Sequence, residues 1–221
     1  MRTVVRLCTQ LAFGSALLSM QLVVNAQAID GFKHDFTTKS WDTTDKTCVI
    51  CHTPHNTTVD WPLWNYSITK SVYTLYVIRE EDSERNRPEG TSKLCLSCHD
   101  GTVAVDAFGG TGGSARKGVL NEEEKKNLSS LRPEHPISIL YTSEVAATNG
   151  SLLKNPTTTI VYVGDEKAPV TVDAAMLSPA HKVECATCHD VHKTGITDEN
   201  NYALLTLKMA DDQLCLACHL K

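Results

Sequence analysis

The sequence predicts a mostly irregular fold with short helices and a few short strands, organised by something other than a conventional core. Three observations predict it. Aromatic residues make up only 6% and AVILMFWYC 41% of the 221 residues, alongside many Ser, Thr, Asn and Gly, so the chain alone would build a thin core. Eight of the nine cysteines fall in four identical Cys-x-x-Cys-His frames. Between the frames lie long stretches with little helical or strand periodicity.

In chain order, the first element is an export signal. Arg2 and Arg6 precede an apolar stretch from Leu7 to Val24, interrupted by Thr9, Gln10, Gly14, Ser15, Ser19 and Gln21, which ends in VNAQA. This is the n-region, h-region and small-residue cleavage pattern of a secretory signal over residues 1–28, with cleavage after Ala26 or Ala28. The competing reading, an N-terminal membrane anchor, fits less well with those polar interruptions. Cleavage removes two arginines and no acid, so the formal net charge moves from -5 to -7. A nucleic-acid partner is not expected of such a chain, which has little basic surface to neutralise phosphates. No second apolar run is long enough to span a bilayer, so no integral membrane segment is expected after cleavage. Residues 29–221 are expected to form a single domain.

Cleavage also removes Cys8. Every remaining cysteine then belongs to a frame: Cys48–Cys51–His52, Cys95–Cys98–His99, Cys185–Cys188–His189 and Cys215–Cys218–His219. Two thiols three positions apart share one face of a helical turn. Each can add to one vinyl group of the same haem, and the next residue, His, then meets the iron. Zinc sites use such pairs two at a time and give no reason for His to follow each pair. Disulfides within Cys-x-x-Cys would close only tiny loops and stabilise little. The expected cofactors are therefore four covalent c-type haems, with His52, His99, His189 and His219 as proximal iron ligands. The fold class becomes a haem-dominated multihaem cytochrome c fold. Export agrees, because c-type haem is attached outside the bacterial cytoplasm.

The frames form two similar pairs. CVICHTPH and LCLSCHDG make the first; CATCHDVH and LCLACHL make the second. The leading frame of each carries another His three residues on, His55 or His192. This reads as an internal duplication of a di-haem unit, about 29–120 and 175–221, joined by a linker. In the linker, residues 109–114 (GGTGGS) predict a loop. Asn121 followed by Glu122, Glu123 and Glu124 predicts a capped short helix. Thr157 to Val163 and Ala168 to Val172, flanking Gly164-Asp165-Glu166, predict a β-hairpin, and Ser71 to Ile78 predict a further strand.

Each iron has a second axial position, and what fills it separates electron transfer from catalysis. Five histidines lie outside the frames: His34, His55, His135, His181 and His192. His55 and His192 follow their frames too closely to bend back to the same iron, so they are candidates for a neighbouring haem. His34 and His135 are further distal candidates, and His181 is the expected spare. Met176 and Met209 could supply a thioether, although packing is the simpler role.

The segments HDF at His34, CHTPHN from Cys51, PLWN from Pro62, LCLSCHDGTVA from Leu94, HPIS from His135 and VECATCHDVH from Val183 resemble the doubled-CXXCH tetrahaem cytochromes. Within that family the chain is similar to the filament-forming extracellular members of metal-respiring bacteria. The resemblance covers most of the chain after residue 28. It implies all-bis-histidine low-spin haems in a stack, a homopolymer at or outside the cell surface, and redox proteins plus an extracellular electron acceptor as partners. It also implies His34, His135 and His192 as distal ligands, His55 as a ligand to the haem of a neighbouring subunit, and His181 as dispensable. The expected function is electron carriage and not enzymatic turnover. The rivals are a periplasmic shuttle and a multihaem oxyanion reductase.

Overall fold

The computed structural model describes residues 34–58, 62–76, 88–114, 130–131, 134–148, 150–163, 168–192 and 204–220. The expected signal segment 1–28 and the helix expected after Asn121 lie outside these residues. Most of the described chain is irregular, with a few short helices and two small antiparallel sheets, as the sequence predicts.

Among the described residues the longest element is helix α1, Gly90–His99, which carries the second frame in its last two turns. It buries Ser92, Leu94, Leu96 and Ser97, and the Ser97 hydroxyl accepts from Thr69 N–H at 3.0 Å. It ends because Gly101 adopts φ 64° and donates to the Cys98 carbonyl, the left-handed stop that glycine permits. Asp100, just past the helix, is buried. Its carboxylate accepts from Thr69 Oγ1, Thr102 N–H and Oγ1, and the Tyr73 hydroxyl. Burial alone would raise the Asp100 carboxyl, but these bonds hold it below the usual value.

Strand β1 (Ile139–Leu140) runs into helix α2 (Ser143–Ala146), capped by Thr142. Strands β2 (Ile160–Tyr162) and β3 (Pro169–Thr171) follow, paired Ile160↔Thr171, Val161↔Val170 and Tyr162↔Pro169. This is the expected hairpin, although residues 164–167 of its turn are outside the described set. Helix α3 (Val172–Met176) starts on Thr171, whose hydroxyl accepts from Ala174 N–H. Strand β4 (Lys182–Val183) pairs back with β1 and leads into helix α4 (Cys185–Cys188), which is the third frame. A 3-10 turn at Ala210–Asp212 leads into helix α5 (Gln213–Leu216), which opens the fourth frame.

The expected strand from Ser71 does not form over its described part, Ser71 to Tyr76. Only Thr74 makes a bridge, parallel, to Ser130. Ser71 N–H turns instead to Thr69 Oγ1 and Tyr73 is drawn to Asp100, so side chains take over part of what a partner strand would have done. Residues 109–114 contain no helix or strand, matching the expected loop.

There is no single core among the described residues. Ile50, Tyr66, Ala104 and Ala107 pack beside the first frame; Tyr73, Leu75 and Leu96 beside the second. Tyr141, Val161, Val172, Met176, Val183, Leu207 and Ala217 pack beside the third and fourth. Met176 therefore packs in a core, as its simpler reading has it. No described helix is long and apolar enough to cross a membrane.

Candidate functional site

All four frames fold as one helical turn. His52, His189 and His219 N–H donate to the carbonyls of Cys48, Cys185 and Cys215 at 2.8, 3.0 and 2.9 Å, and Cys95–His99 lie within α1. The two thiols of each frame therefore project from one face of a turn.

Successive frames neighbour one another. Burial first, then the nearby Cys98 and Cys48, push the Cys51 thiol up to about 12, which sets the first frame beside the second. The Cys95 and Cys185 thiols share a hydrogen bond that lowers Cys185 and raises Cys95, joining the second frame to the third. Cys188 is pushed up to about 11 by burial first and then by Cys218, Cys185 and Cys215, which places the third frame beside the fourth. Each frame thus lies beside the next one along the chain.

Three frames dock their histidine in the same way. His52, His189 and His219 each bridge antiparallel to a short segment, at Trp64, Leu205 and Leu153 respectively. In each case the residue after the histidine donates to that segment (Thr53 to Leu63, Asp190 to Leu204, Leu220 to Leu152) at 2.7–2.9 Å. The segment in turn donates to the carbonyl of the second cysteine, from Asn65 to Cys51, Thr206 to Cys188 and Lys154 to Cys218, at 2.7–2.9 Å. The match between the two leading frames extends to a left-handed leucine, Leu63 at φ 63° and Leu204 at φ 65°. Sequence reading gave these three segments no docking role, because they are too short to leave a periodic signal; the first overlaps the PLWN that carries part of the family resemblance.

The imidazoles come together in pairs. His34 lies against His99 with ring centres 5.9 Å apart, His52 against His192 at 6.1 Å, and His135 against His219 at 6.2 Å. Each pair joins a frame histidine to one outside the frames. A metal–nitrogen bond of about 2 Å on each side, plus the depth of each ring, puts two coaxial imidazole centres roughly 6.3 Å apart across one iron. The three pairs meet that spacing. Ring tautomers suit the role too: His52 Nδ1 faces the Pro62 carbonyl at 2.8 Å and His135 Nδ1 the Pro136 carbonyl at 3.0 Å, which leaves each Nε2 as the free lone pair. The Nδ1 of His192 faces Asp190 at 3.5 Å, and that bond holds its pKa above the usual value. His34 is held low, by burial first and then by His99, and its buried Nδ1 meets no hydrogen-bonding group.

The partners are remote in sequence. His34 precedes the first frame yet faces the second, and His192 follows the third frame yet faces the first. His189 is the exception: among the described residues no ring stands opposite it. His55 is exposed and takes part in none of the pairs. His181 is exposed as well, with Nδ1 at 2.6 Å from Asp173 Oδ1.

Compared with known proteins, the chain matches no family model and no curated sequence.

Proposed function

We propose that this protein is an exported multihaem electron carrier, holding four c-type haems and passing electrons along them as a subunit of an extracellular cytochrome filament. The single observation that carries the reading is the set of three imidazole pairs, each joining a Cys-x-x-Cys-His histidine to a distal one at 5.9–6.2 Å. Bound haem would supply one-electron exchange at iron. Eight cysteines would anchor it, and His52/His192, His99/His34 and His219/His135 would close three irons from both sides. A closed iron leaves no position for a substrate, so the chain's part is to fix ligands, exclude water and hold neighbouring haems in order. The chain-order contact of the frames supports a continuous path.

His189 is the remaining proximal ligand and His55 the remaining distal candidate in a CHxxH segment. His192 closes the first site from the third frame. The corresponding His55 would close the third site of a neighbouring copy, and repetition of that contact makes a polymer. The same half-closed site favours one rival, an oxyanion reductase with its open iron on His189.

A pyridine haemochrome assay should count four haems per chain, and EPR should show only low-spin, bis-imidazole iron in the assembled form. A persistent high-spin haem together with turnover of nitrite by a reduced dye would transfer the assignment to the reductase. Negative-stain microscopy separates filament from monomeric periplasmic shuttle. In His55→Ala, filaments and one low-spin signal should be lost together; intact filaments with four low-spin haems would remove the cross-subunit ligand.

A further inference from the structure

Glu184 is a carboxylate 3% exposed, set between the second and third frames. It directly precedes Cys185 and forms a capping box with Thr187 at the start of α4. It also reaches across to α1, where the Ser92 backbone and hydroxyl bond to it. A third element contributes through Ser138, whose hydroxyl donates to Glu184 Oε2 at 3.2 Å while accepting from Glu89 N–H at 3.0 Å. Ser92, fully buried, accepts from Cys185 N–H at 2.9 Å and so ties the two haem-bearing helices directly.

The space for this carboxylate is made by Gly90. Its φ of +52° already favours glycine, and a Cβ there would stand 3.3 Å from Glu184 Oε1. Lys182 acts on Glu184 from nearby, but its ammonium pairs with Glu89 at the surface. Burial outweighs the bonds from Ser92 and Ser138 and the charge of Lys182, so the Glu184 carboxyl sits above its usual value. What favours its ionised form is geometric: the Ser138 hydroxyl donates to it and the N-terminus of a ten-residue helix lies beside it.

We infer that Glu184 is a potential-setting residue, a fixed negative charge at the junction of the second and third haem sites that favours their oxidised irons. A ferric haem carries one more positive charge than a ferrous one, so a nearby carboxylate shielded from water stabilises the ferric form. The inference rests on the haem reading above, and its test is chosen to fail separately from it.

The test is EPR-monitored redox titration of the full, haem-loaded chain, comparing wild type with Glu184→Gln, Glu184→Asp and Glu144→Gln. Glutamine keeps the shape and removes the charge. The haems of the second and third frames should then become roughly tenfold more reduced at a fixed ambient potential, a rise of about 59 mV for one electron. Aspartate keeps the charge and should leave the potentials near wild type even where stability falls. Glu144, at the surface, should shift nothing. Unmoved potentials in Glu184→Gln, or an equal shift of all four haems, would overturn the inference while a count of four haems kept the wider reading intact. If Glu184→Gln does not load four haems, infrared redox-difference spectra of the wild type decide. An ionised carboxylate band that responds to reduction supports the charge, and a protonated carboxyl in both redox states overturns it.

Discussion

Replacing His34 with alanine tests the pairing at its least intuitive point. His34 stands just before the first frame, yet its ring lies 5.9 Å from His99 of the second. The variant should keep all eight frame cysteines and load four haems, while the haem on Cys95 and Cys98 loses its second imidazole. In the assembled form one haem in four should therefore turn high-spin, a loss of about a quarter of the low-spin EPR intensity. The fold should suffer modestly. The ring also packs edge-on against Phe36 at 6.0 Å, and Phe36 against Trp41 at 5.2 Å, a contact of about 0.5–1.5 kcal/mol. EPR and the visible charge-transfer region read the spin state, thermal melting reads the stability, and added imidazole should restore the low-spin signal. Four low-spin haems in His34→Ala, or an opening at the Cys48–Cys51 haem instead, would refute the pairing.

Three further outcomes follow from the same geometry. The His135 and His219 rings are 81° apart in plane whereas His52 and His192 are 29° apart, so EPR should resolve a strongly anisotropic low-spin species and a rhombic one; a single uniform signal would contradict this. Asp100→Asn leaves the Tyr73 and Thr69 hydroxyls facing a poorer acceptor and should cost about 1–3 kcal/mol by chemical denaturation. Because the folded Asp100 carboxyl is held below its unfolded value, its stabilisation is present above about pH 4 and is lost as pH falls through the lower folded value; the wild-type acid-unfolding curve should flatten there in the variant. Gly101→Ala forces a side chain into φ 64° at the end of α1 and should cost about 1–2 kcal/mol in thermal melting.

What could be read in the sequence was whatever depends on residues close together in it. The four frames, the hairpin around 160–171 and the loop at 109–114 are local, and each has a physical signature in spacing or turn chemistry. The strand expected from Ser71 failed because β-propensity cannot see Asp100 drawing Tyr73 and Thr69 into a side-chain network. Histidine pairing was hidden for another reason: candidacy is a matter of residue type, but partnership is a matter of tertiary path, and His52 meets His192 from the far side of the chain. Glu184 left one faint trace, an acid before Cys185 with Thr187 three residues on, a capping pattern overshadowed by the frame it introduces.

The crossing of His192 back to the first frame has a consequence for biogenesis. On the proposed reading, a chain exported from its N-terminus would present Cys48, Cys51 and His52 to the attachment machinery early, while His192 would emerge near the end. The first haem to be attached would then be among the last to gain its second imidazole, and in the interval its iron would be open to solvent and to stray ligands. Maturation and folding become separate clocks. Any slowing of late export should lengthen the life of a five-coordinate, peroxide-sensitive intermediate whose haems are all covalently in place.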